Sequence, residues 1–117
     1  MASPSAQDLP EDLNWDEIVR QGRALFGRGL YFEAHEFLES AWHQASGERK
    51  LCLQGLIQIC AAFHKFRTEG PRSPGGRELI AKGLDKISRT EAALGTAGAS
   101  FVSDIRAALA HDPSEPY

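Results

Sequence analysis

Two histidines and three glutamates fall inside one short, otherwise apolar run, YFEAHEFLESAWH, from Tyr31 to His43. Imidazoles and carboxylates at the edge of a core must find partners, and such groups are the usual material of sites. On a helix, His35 and Glu39 stand at i and i+4, the spacing at which two side chains meet on one face and can grip one metal ion. Zinc proteases use that spacing with two histidines; the string here is HEFLE, so their motif is incomplete. His43 lies four residues beyond Glu39 but eight beyond His35, a rise of roughly 12 Å that keeps all three off one ion. A third ligand has to come from another helix, and GLIQICAAFHKF, from Gly55 to Phe66, offers Gln58 and His64.

Two readings of the cluster follow. In one, His35, Glu39 and Gln58 form a hydrogen-bond network that locks two helices together, each partner keeping the others satisfied. In the other, His35 and Glu39 hold a divalent ion and Glu36 or His64 handles protons, as in a metal-dependent hydrolase. Gln58 and His64 project about 120° apart on their helix, so one helix surface does not present both to one point. With Gln58 facing the His35 stripe, His64 packs elsewhere. Trp42 reads as a core or groove-lining aromatic whose indole N–H needs a partner if buried. Glu33 and Glu36 meet the positive end of a helix dipole, a sufficient structural reason for acids there. Cys52 and Cys60 sit among apolar residues, which raises a thiol pKa and makes it a poor nucleophile.

These residues need helices to position them, and helical spacing is what the chain shows. Asn14, with Glu17 three residues on, reads as a capping box ahead of Trp15, Ile18, Val19, Gly22, Leu25 and Phe26. A second helix is expected from Tyr31 to Ala45, with Ala34, Phe37, Leu38, Ala41 and Trp42 on its apolar face and His35, Glu36, Glu39 and His43 opposite, Phe32 among them. A third, from Glu48 to Thr68, is apolar nearly all round, the pattern of a central helix. Gly70 to Gly76, with two prolines and three glycines, reads as a loop. A fourth helix runs to about Leu94, and after a break at Gly95 to Ala99, Ser100 caps a short fifth. The expected fold is all-α: one compact bundle of about five helices, built from helical hairpins around a buried central helix. Its body is 14–111, between a polar lead at 1–13 and a tail at 112–117 that lack periodicity and are expected to be disordered.

Composition closes off several functions. Thirteen Lys and Arg against sixteen Asp and Glu give a net charge of -3, and no basic run exceeds the Arg49-Lys50 pair, which disfavours phosphate-driven nucleic-acid binding. The longest apolar stretch, Gly55 to Phe63, is less than half of the roughly 20 residues a bilayer crossing requires, so no membrane span is expected. The start MASPSAQDLPEDLN has no basic opening and no apolar core, unlike a secretory signal. Cys52 and Cys60 are eight residues apart on one helix, roughly 12 Å along its axis and too far for a disulfide. Free buried thiols fit a reducing, cytoplasmic setting.

FEAHEFLESAW, Phe32 to Trp42, together with GLIQICAAFHKF and a later Gly-containing amphipathic helix, resembles the small all-helical proteins grouped as domain of unknown function 309. The resemblance covers about Leu25 to Ile87. It implies a compact helical bundle and recurrent polar or aromatic positions at Glu33, His35, Glu36, Glu39, Trp42, Gln58 and His64, and it brings no activity. One departure is that relatives usually continue with a Gly-Asn and a Gly-Ala pair, where this chain has Glu69-Gly70 and Gly75-Gly76 around a proline loop. A weaker resemblance is to tetratricopeptide-type hairpins, in Gly29 to Ala34 and again in Gly76 to Ile87; the segments start some 47 residues apart and not the 34 of such a repeat. The expected role is a binding or interaction module that takes a peptide, a small molecule or a second copy in a groove walled by the second and fourth helices. The metal-dependent enzyme using His35 and Glu39 is the alternative.

Overall fold

The computed structural model describes residues 14–111, which form five helices: α1 (Trp15–Gly27), α2 (Tyr31–Trp42), α3 (Gly47–Glu69), α4 (Pro74–Arg89) and α5 (Glu91–Ala110). The lead and tail expected at 1–13 and 112–117 lie outside the described residues. Asn14 starts α1 by accepting a hydrogen bond from the Asp16 amide at 2.7 Å, satisfying one of the donors every helix N-terminus leaves open. Glu17 does not complete the expected capping box; its carboxylate accepts from Gln21 at 3.2 Å. Trp15, Ile18, Val19, Gly22 and Phe26 are buried at helical spacing, and the Trp15 indole N–H donates to the Leu94 carbonyl at 2.9 Å.

The third helix is the centre. Cys52, Leu53, Gly55, Leu56, Ile57, Ile59, Cys60 and Ala62 are all buried along it, and it packs against α2, α4 and α5. Its closest neighbour is α4, because glycines meet where the two cross: a Cβ on Gly83 would lie 2.7 Å from the Gly55 carbonyl oxygen, and one on Gly55 would lie 2.8 Å from that of Gly83. Helix α1 packs on α2 and on α5, while α2 and α4 share no extensive contact. The two helices expected to wall a groove each pack on α3.

Three boundaries differ from the sequence reading. Helix α4 begins at Pro74, inside the expected loop: proline is tolerated in a first turn, Ser73 caps it by accepting from the Gly76 amide at 3.1 Å, and Gly76 is needed because the Phe66 ring occupies the space a Cβ would fill. Helix α2 ends at Trp42, followed by a turn. Helix α4 ends at Arg89 and not near Leu94, α5 follows from Glu91, and the expected break is a kink inside α5 at Gly95, whose positive φ of 68° glycine adopts without strain; Ser100 lies inside α5 and caps nothing. Among the described residues no helix is long and apolar enough to cross a membrane.

Candidate functional site

One stripe of α3, Ala61, His64, Lys65 and Thr68, follows the i, i+3, i+4, i+7 rule and turns toward the first half of α2. Together with Phe32 and His35 of α2, and with Glu69, it walls an open groove of about 320 Å³. Phe32 stands at its middle, and among the described residues it is the single large hydrophobic side chain left exposed, at 48%. The His35 ring is stacked on it at 6.0 Å between centroids and 25° between planes, and the His64 ring leans on it at 5.4 Å and 49°. Two imidazoles from two helices thus flank one exposed aromatic ring.

The charged wall is internally paired. Lys65 Nζ donates to one Glu69 oxygen at 3.2 Å and Ser73 Oγ donates to the other at 2.8 Å. Ser73 first, and Lys65 second, hold the Glu69 carboxyl below its usual range, so it stays ionised. The Thr68 hydroxyl donates to the His64 carbonyl at 3.1 Å. Below the groove, Arg67 ties α3 to the turn between α1 and α2: its guanidinium donates to the Gly29 carbonyl at 2.5 Å and lies over the Tyr31 ring at 4.7 Å.

The residues singled out from sequence are divided by the fold. His35 and His64 both meet Phe32, so of the two arrangements left open by the sequence it is His64 that lies on the His35 side. Gln58 is the one turned away: its Oε1 accepts from Lys86 Nζ on α4 at 2.9 Å. Gln58 and His64 thus face different helices, His64 meeting α2 and Gln58 meeting α4. No network of His35, Glu39 and Gln58 closes the seam. Glu39 approaches His35 Nε2 at 3.7 Å, an ion-pair distance longer than a hydrogen bond, and the other ring nitrogen of His35 is buried without a partner. Glu36 is exposed, with its backbone carbonyl taking the Ser40 hydroxyl. Trp42 sits at the far end of α2 under Lys50, whose Nζ is 4.3 Å from the ring, and its indole N–H is buried with no acceptor.

The metal reading required a third donor to join His35 and Glu39. Among the described residues no three His, Cys, Asp or Glu side chains are placed to hold an ion. The thiols offer no nucleophile: burial pushes Cys52 up, and Cys60 up to about 12. Sequence reasoning missed Lys65, Thr68, Glu69 and Arg67. The signal was there in the 61, 64, 65, 68 stripe, which interrupts an otherwise apolar helix, and in Phe32, an aromatic on the polar side of α2.

Residues 19–73 match the model of a family described as a domain of unknown function, DUF309. DUF309 is the family that this stretch resembles. All seven groove residues fall inside the matched stretch, which starts earlier and ends earlier than the resemblance in the sequence suggested. An uncharacterized protein of Aquifex aeolicus (strain VF5) is 33% identical to this chain over 69 residues, a stretch that is 58% of this chain and 20% of that protein. The chain thus matches about a fifth of that curated relative's length. No solved structure matches.

Proposed function

We propose that this protein is a non-enzymatic binding module that takes a small molecule in the groove between α2 and α3. The observation that carries the reading is the placement of Phe32, held between His35 and His64 in a groove of about 320 Å³. An exposed aromatic ring flanked by two polar rings offers a stacking surface with hydrogen-bonding edges, and the volume lies at the small end of ligand sites. A protein partner or a second copy is the poorer fit: with Phe32 the single large exposed hydrophobic residue described, there is no apolar patch of the several hundred Å² that such an interface uses. Chemistry on the ligand is not part of the reading, because the groove holds neither a thiol nor a three-ligand metal set. A reducing, cytoplasmic setting is part of it, supported by two free, buried cysteines.

A screen of neutral one- and two-ring fragments by two-dimensional amide NMR tests this. Some fragments are expected to shift the amides of Phe32, His35, His64 and Lys65 saturably. Ala61→Trp, which places an indole in the groove from a partly exposed position, is expected to abolish those shifts while leaving the helical circular dichroism intact. Fragments that perturb no groove residue, or that bind the filled variant equally well, would overturn the reading.

A further inference from the structure

The groove keeps spare hydrogen-bond donors beside its exposed ring. Both oxygens of the Glu69 carboxylate are already engaged, by Ser73 and Lys65, and the Thr68 hydroxyl hydrogen goes to the His64 carbonyl. Lys65 carries three N–H groups and gives one to Glu69, which leaves two. His64 touches the Phe32 ring, and among the described residues no hydrogen bond engages its ring nitrogens, so at least one N–H is free in either tautomer. Next to these spare donors lies the exposed face of Phe32. An exposed aromatic ring that lines one groove with unused donors calls for a ligand with the complementary pair, a flat ring bearing an acceptor that carries negative charge.

Building on the reading of this groove as a binding site, we propose that its ligand is a small aromatic carboxylate, the ring laid on Phe32 and the carboxylate held by Lys65 Nζ and the His64 imidazole. The charged and titratable groups that face it are Glu39 beside His35 on α2, and His64, Lys65 and Glu69 on α3. Glu69 is held by Lys65 and Ser73 and engages one of the three Lys65 N–H groups.

The experiment is an amide NMR titration of the full chain with indole-3-carboxylate, indole-3-carboxamide and acetate. The carboxylate is expected to shift Phe32, Ala61, His64 and Lys65 saturably, with the uncharged carboxamide and the ring-free acetate each at least about ten-fold weaker. Lys65→Met, which keeps the side chain's length and removes its donors, is expected to weaken the carboxylate about ten-fold and to leave the carboxamide unchanged. Equal binding of carboxylate and carboxamide, or an unchanged affinity in Lys65→Met, overturns the inference while the groove remains a binding site. A groove that responds to neutral fragments and not to the carboxylate overturns it in the same way. Silence of the groove toward every probe overturns both readings.

Discussion

The glycine crossing of α3 and α4 makes a sharp prediction about stability. In Gly83→Ala the new Cβ would lie 2.7 Å from the Gly55 carbonyl oxygen and 2.7 Å from Ile59 Cγ1. Neither neighbour can swing away: one is helix backbone, and the other is a fully buried core side chain. The helices must separate, and overpacking of this kind costs about 1–3 kcal/mol. With helix backbone as the obstacle the overpacking cost falls at the upper end, about 2–3 kcal/mol, and removing glycine's backbone freedom returns up to about 1 kcal/mol, so the net loss is about 1–2 kcal/mol. For a domain of this size that lowers Tm by about 5–15 °C. Gly27→Ala is the control. It lies on the last position of α1 with nothing within 4 Å of its Cβ, so only the backbone gain applies and stability rises by up to about 1 kcal/mol. Urea unfolding followed by circular dichroism, with the slope m unchanged in both variants, gives the two values. A Gly83→Ala protein as stable as the parent would show that α3 and α4 do not cross at these glycines.

Other expectations follow from the same contacts. Arg67→Ala removes the bond to the Gly29 carbonyl and the cover over Tyr31, and urea unfolding is expected to show a loss of about 1 kcal/mol. Gln58→Ala breaks the link to Lys86 at a similar cost, yet the imidazole resonances of His35 and His64 are expected to stay put, because Gln58 faces α4. Both thiols are expected to ignore Ellman's reagent at pH 8 in the native protein and to react on unfolding. The Cys60 thiol ionises near 9 when unfolded and about 12 when folded, so its contribution is fully present below pH 9 and is lost as pH rises toward 12. The urea midpoint should fall across that window, and less steeply in Cys60→Ala.

Much of this architecture is legible in the sequence because one rule, apolar spacing near 3.6, governs it. The buried positions of α1 and the all-round apolar middle of α3 follow from that rule alone. Helix ends were less legible, since they depend on single residues whose effect is decided by tertiary neighbours. Pro74 opens a helix because Ser73 can cap it and Gly76 makes room for Phe66. The candidate site was half visible for the same reason. Periodicity fixes the angle between Gln58 and His64 but not which of them meets α2, and that depends on where α3 is held by α4. The Gly55–Gly83 contact sets this rotation and leaves Gln58 over Lys86 and His64 over Phe32. Glycines at a crossing carry no periodic signal, so the decisive contact was the one that pattern reading passes over.

Everything functional here depends on one juxtaposition, Phe32 between His35 and His64. Side-chain NOE spectroscopy of the free protein measures it most directly. Cross-peaks are expected from the Phe32 ring protons to the carbon-bound ring protons of both His35 and His64, with none to the side-chain amide of Gln58. Cross-peaks from Phe32 to Gln58 and none to His64 would place α3 in the other rotation, close the groove with a structural network and contradict the account.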